Sequence, residues 1–128
     1  HDIITPSKRR LSFGMYYNES SGVYEYSKPQ IKNYPVQSFS SDCMYVCMHN
    51  IYSQLVKYKF KSKIICQVHD SIVYDFVKNE ESNLIEINLN IMNNLDKYIS
   101  DYYGINYNVP MGGDIEIGSN YGDWKPIN

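Results

Sequence analysis

The sequence predicts an α+β fold, a small antiparallel sheet with helices packed on one face, formed as a single unit over residues 1–128. Two observations carry this prediction. Two long stretches repeat apolar residues at helical spacing, and between them an alternating apolar run is broken at a two-residue turn. Residues 1–10 are polar, with Lys8, Arg9 and Arg10 in a row. Leu11, Phe13 and Met15, then Tyr17, Val23, Tyr24 and Tyr26, suggest two short strands flanking the turn signal at residues 18–22. Pro35 precedes the first helix, where Ser38, Ser40 and Ser41 offer capping oxygens and Asp42 suits the first turn. Phe39, Cys43, Cys47, Ile51 and Leu55 recur every four residues, with Met44 and Val56 beside them, and predict an amphipathic helix over about 40–58.

A hairpin is expected over 63–77, its apolar arms meeting at His69-Asp70. Asn79 is placed to cap a second helix, with Glu80 and Glu81 in its first turn and a stripe of Ile85, Leu89, Met92, Leu95, Ile99 and Tyr102. Gly104 stops that helix. Residues 109–113 read as a loop and 114–118 as a last strand.

Apolar content is 43% and net charge −2, from 12 basic and 14 acidic residues. A core is possible, and a free-standing nucleic-acid binder, normally basic, is disfavoured. There are 14 Tyr and no Ala, and Asn, Ile and Lys are abundant, a bias towards AT-rich codons such as those of a phage or bacterium. The odd set Cys43, Cys47 and Cys66 sits in apolar contexts and reads as reduced core thiols. A metal set of these cysteines with His69 lacks any CxxC pair and is disfavoured. No window approaches the ~20 apolar residues of a membrane span, and no signal peptide is seen. The first residue is His1 rather than Met, as expected of a processed product or a piece of a longer chain.

The hairpin tip carries the chemistry. A carboxylate at a tight turn between two apolar arms is unfavourable for strand formation and for burial. It is usually offset by a metal ion or by solvent at a cleft. Gln67-Val68-His69-Asp70-Ser71 resembles the third catalytic motif of the family A DNA polymerases. Two further matches follow the family order. Asn33-Tyr34-Pro35-Val36-Gln37, running on to Asp42, is similar to the family's Asn-x-Pro-Ile-Gln-Gly-x-Ala-Ala-Asp segment, in the wording of phage members. Gly113-Asp114-Ile115-Glu116-Ile117-Gly118 is similar to the closing strand, with Tyr121 or Trp124 at the family's Trp. Arg9 and Arg10 match a Gly-Arg-Arg segment. Phe13-Gly14 with Tyr16 lies too close to Gln37 to be the nucleotide-binding helix motif. The first catalytic motif and that nucleotide-binding helix are not found. The resemblance covers residues 5–124 and implies the C-terminal part of a polymerase palm, without fingers and without the first catalytic Asp.

The resemblance further implies that Asp70 is one of two carboxylates holding a Mg²⁺ pair, its partner supplied by another segment or chain. It implies that His69 contacts the primer terminus, and that Asn33 and Gln37 read the minor groove of the nascent duplex. Arg9 and Arg10 are candidates for phosphate contacts, with a solvated strand edge as the equal alternative. Ser71 stands where bacterial members carry Glu, as it does in some phage relatives. Lys57, Lys59, Lys61 and Lys63 would share one face of an extended stretch, and Asp75 reads as structural. The expected partners are primer–template DNA, dNTP and the N-terminal remainder of the polymerase, with no membrane, in the cytoplasm (of the bacterial host if phage-encoded). The isolated chain is expected to be inactive. The rival expectation is a non-catalytic DNA-binding or scaffolding remnant, in which Asp70 is a turn residue satisfied by backbone donors.

Overall fold

A computed structural model describes residues 2–127. Its central element is α1 (Lys28–Lys57), 30 residues long and so about 45 Å from end to end. This helix begins a dozen residues before the expected start. Ser27 is the N-cap, its Oγ accepting from the Gln30 amide at 3.5 Å. Pro29 falls in the first turn, where its missing N–H costs nothing. Pro35 therefore lies inside the helix, where it donates no hydrogen bond to the Ile31 carbonyl. Asp42 is then mid-helix and buried, not in a first turn.

α1 ends in a Schellman closure. The Phe60 amide donates to the Leu55 carbonyl at 2.9 Å and the Lys59 amide to Val56 at 3.1 Å. Lys59 is left-handed, with φ +56°. This cap breaks the extended lysine stretch expected over 57–63, because Lys57 is still helical.

The next hairpin, β5 (Lys63–Val68) with β6 (Ser71–Asp75), is antiparallel and turns at His69-Asp70 as expected. A bulge between Ile64 and Cys66 changes which side chains face inward. Ile64 packs on the core, whereas Ile65 and Cys66 are exposed. Cys66 is thus not a core thiol, while Cys43 and Cys47 are buried.

Residues 78–80 form a 3₁₀ turn, and the single helix expected to follow is two, α2 (Glu81–Asn93) and α3 (Leu95–Tyr103). The break is at Asn94, whose Nδ2 donates back to the Asn90 carbonyl at 2.8 Å, the local bonding by which Asn competes with helix. Glu80, not Asn79, occupies the N-cap position. Its carboxylate accepts from the Lys61 and Ser62 amides and from Ser62 Oγ at 2.6 Å. Ser62 Oγ in turn accepts from the Val77 amide at 2.9 Å, tying the open ends of the hairpin together. Gly104, φ +65°, ends α3 as expected.

The core consists of Cys43, Val46, Cys47, Ile51 and Leu55 of α1 with Leu84, Ile91, Leu95 and Ile99 of α2 and α3. The buried seam of α2 runs Leu84, Asn88, Ile91 and leaves Leu89 exposed, and Tyr102 of α3 is exposed as well. Asn88 is buried because its Oδ1 accepts from the Tyr74 hydroxyl at 2.7 Å and its Nδ2 donates to the Leu84 carbonyl at 2.8 Å. Ile64, Ile72, Tyr74 and Phe76 lay the hairpin onto this core.

The antiparallel component is spread over four two-stranded ladders among the described residues. Besides β5–β6 these are β1 (Asp2–Ile4) with β2 (Arg10–Ser12), β3 (Met15–Asn18) with β4 (Val23–Tyr26), and β7 (Glu116–Gly118) with β8 (Trp124–Pro126). β1 and β8 were not expected from the sequence.

Candidate catalytic cleft and nucleic-acid face

β6 reaches its turn through a two-residue tip. His69 takes a left-handed conformation, φ +54°, which His tolerates better than most residues. Its carbonyl accepts from Gln67 Nε2 at 2.9 Å. Both His69 and Asp70 are exposed, and among the described residues no donor reaches the Asp70 carboxylate.

Asp70 stands on the wall of a cleft of about 660 Å³. Ser71 to Tyr74 continue that wall along β6, and no β5 residue takes part, so the cleft follows the edge of β6 that is unpaired among the described residues. α1 contributes Ser40, Met44, Cys47 and Ile51. α2 contributes Leu84, Asn88 and Met92, and residues 111–118 with Trp124 form the far side. The lining is mostly apolar; its carboxylates are Asp70, Glu81, Asp114 and Glu116, with Ser40, Ser71 and Asn88 as further polar groups. Burial pushes the Cys47 thiol up to about 11 and also raises the Tyr74 phenol, so both stay protonated and neither is a nucleophile. Among the described residues no three His, Cys, Asp or Glu side chains are grouped to hold a metal ion. That includes the set of Cys43, Cys47, Cys66 and His69.

Asn33 and Gln37 are exposed on α1. With Ser40, Met44 and Cys47 they fall at i, i+4, i+7, i+11 and i+14, one stripe of the helix. The stripe that enters the cleft as Ser40 and Met44 therefore continues outward as Gln37 and Asn33. Neither Asn33 nor Gln37 lines the Asp70 cleft itself, and Gln37 also borders a second, shallow depression with Leu11, Tyr34, Ser38 and Ser41.

Arg9 and Arg10 are elsewhere. Asp42, nine residues from Asn33, lies half a turn round α1 from that stripe. Its carboxylate accepts from Arg9 Nη2, from Arg9 Nε at 3.2 Å and from Ser7 Oγ at 2.5 Å. Burial raises the Asp42 carboxyl, but Arg9 and Ser7 together outweigh it and hold the group below its ordinary value. The Arg9 side chain is half exposed, the Asp42 side chain only 5%. Arg10 pairs with Asp2 at the surface. The Asp42 clamp had no local signal in the sequence, because its partner is 33 residues away.

Residues 3–123 match DNA polymerase family A. The chain is 37% identical over 94 residues to a DNA polymerase of Bacillus phage SP01, a match covering 73% of this chain and 10% of that polymerase. The chain thus spans about a tenth of the length of the relative it matches. No solved structure matches significantly. The chain belongs to DNA polymerase family A. Among the described residues no helix is long and apolar enough to cross a membrane.

Proposed function

We propose that this chain forms the C-terminal part of a polymerase palm, and that Asp70 contributes one metal-binding carboxylate to template-directed DNA synthesis. The observation that carries the proposal is the Asp70 carboxylate, exposed at a hairpin tip, without a donor among the described residues, at the wall of an open cleft. The remnant reading required the opposite, a carboxylate satisfied by backbone donors.

The residues present fit a Mg²⁺ site only in part. Asp70 is a hard oxygen ligand open to a cation, and one carboxylate is too few for Mg²⁺ without substrate phosphates and further ligands. The unpaired edge of β6 is where a segment of the remaining polymerase can join, bringing a second carboxylate beside Asp70. When bound, the ions supply activation of the primer 3′-hydroxyl and neutralisation of triphosphate charge. His69, beside Asp70 at the tip, would donate to a sugar or phosphate oxygen of the primer end. Asn33 and Gln37, on the stripe leading from the cleft, offer amides to the minor-groove acceptors common to every correct base pair. Primer–template DNA and dNTP are the corresponding substrates.

The test is primer extension by this chain combined with the remaining polymerase segments, with Asp70→Ala as the variant. The expected outcome is extension by the combination alone, reduced at least about a hundredfold by Asp70→Ala. Extension that survives Asp70→Ala would remove Asp70 from the chemistry.

A further inference from the structure

The first half of α1 has an unusual problem of support. Its residues 28–41 include no buried side chain, and the first buried residue is Asp42. Pro35 lies within this half and deprives the Ile31 carbonyl of its helical donor. Yet this is the stretch that displays Asn33 and Gln37.

Apart from Phe39, which packs against Tyr103 and Tyr107, this half is accompanied by the segment of residues 9–13. Arg9 is anchored on Asp42 through Nε and Nη2. Leu11 borders the same shallow depression as Tyr34, Gln37, Ser38 and Ser41. Phe13 sets its ring 6.3 Å from that of Tyr34. Residues 9, 11 and 13 therefore follow α1 backward from Asp42 to Tyr34, past the proline. The anchor is itself braced. The Thr5 amide donates to the Arg9 carbonyl at 2.9 Å, the Arg9 amide donates to Thr5 Oγ1 at 3.1 Å, and Ser7 donates to Asp42. The Tyr103 hydroxyl donates to the Asp42 carbonyl at 3.3 Å from α3, and Phe39 packs edge-on to Tyr107 at 5.6 Å on a different flank.

We infer that Asp42 is a positioning residue: through Arg9 it seats residues 9–13 as a splint along α1, and the splint holds Asn33 and Gln37 in place across the Pro35 discontinuity. The inference rests on the proposed duplex-reading role of Asn33 and Gln37 for its purpose, but not for its geometry.

Hydrogen exchange separates the two. In Asp42→Asn, amides of residues 31–41 exchange about tenfold faster or more, as expected for losing charge-assisted bonds, while those of 46–57 keep their protection. Ser7→Ala, which leaves Arg9 in place, gives a smaller change in the same segment and serves if Asp42→Asn does not fold. Adding Pro35→Ala to Asp42→Asn restores the helical donor and returns protection to 31–41, a rescue that a general loss of stability would not show. Unchanged exchange at 31–41, equal loosening of 46–57, or no rescue would each overturn the splint. In parallel, Asn33→Ala and Gln37→Ala are tested for binding of a labelled primer–template by the chain combined with the remaining polymerase. If they leave binding unaltered while the exchange results stand, the duplex-reading role falls and the splint survives.

Discussion

Breaking the Arg9–Asp42 pair from its two sides should cost unequal amounts. Arg9→Ala leaves a carboxylate whose side chain is only 5% exposed, still helped by Ser7 at 2.5 Å but without its cation. A buried charge stripped of its partner typically costs about 3–5 kcal/mol. The surviving Ser7 bond and the short path to solvent once the guanidinium is gone place the expected value at the low end, about 3 kcal/mol. Asp42→Ala leaves an arginine whose side chain is half exposed and can be rehydrated in place. Its loss is limited to charge-assisted hydrogen bonds, about 1.5–3 kcal/mol, discounted for that exposure to about 1.5 kcal/mol. For a chain of this length, 1 kcal/mol corresponds to about 4 °C in Tm. The expected shifts at neutral pH are therefore about −12 °C for Arg9→Ala and about −6 °C for Asp42→Ala. Urea titration gives the same comparison as free energies. The pH dependence has a defined sign. The pair holds the Asp42 carboxyl below its ordinary 3.8, so its contribution is complete above that value and is lost as pH falls through the folded-state value. Without Arg9, burial instead raises the group, so Arg9→Ala loses less relative to wild type at acid pH. Equal costs from the two sides, or a larger loss from Asp42→Ala, would refute the account of which partner the fold has buried.

Lys59→Gly should stabilise the chain by about 0.5–1 kcal/mol, since it removes a left-handed penalty of about 1–2 kcal/mol at the α1 cap and adds back some unfolded-state freedom; thermal melts with Tm unchanged or lower would contradict this. Tyr74→Phe keeps the ring but strips Asn88 Oδ1 of its donor, so a loss of about 1–3 kcal/mol is expected in urea titration, and a neutral result would mean that water replaces the hydroxyl. Glu80 accepts the Lys61 amide and the Ser62 hydroxyl, which hold its carboxyl below the ordinary 4.5. Its contribution is present above pH 4.5 and disappears as pH falls, so Glu80→Gln should flatten the acid limb of the stability profile, as followed by melts between pH 3 and 6.

The parts of the fold legible in the sequence were those governed by local rules. The β5–β6 hairpin showed in its alternating arms, the α3 stop in Gly104, and the body of α1 in the four-residue spacing from Cys43 to Leu55. The departures trace to distant partners. Pro35 reads locally as a helix boundary, yet α1 continues through it towards Ser27 while residues 9–13 lie alongside. Asn88 disguised the seam of α2, because a buried Asn looks like a surface residue until Tyr74 is brought to it from 14 positions away. The Cys66 side chain follows a bulge that no single residue announces. The candidate site divides in the same way. The spacing from Asn33 through Gln37 to Ser40 is a property of one helix and shares a face without any tertiary information. That Ser40 and Met44 line the cleft with Asp70, and that Arg9 reaches Asp42, depends on how helix, hairpin and N-terminal segment pack.

The four two-stranded ladders have a consequence for handling the protein. Each ladder, as far as the described residues extend, leaves both of its outer strands with unpaired backbone donors and acceptors, and a lone hairpin is at best marginally stable in water. Open edges are templates for further pairing, including with identical chains. β3 and β4 combine this with exposed Met15, Tyr17, Val23 and Tyr24, and they have no lysine on either strand to discourage stacking. Concentrated solutions of this chain should therefore drift towards sheet-rich aggregates from that ribbon first, and a single lysine at Tyr24 should slow the drift more than the same change anywhere on α1.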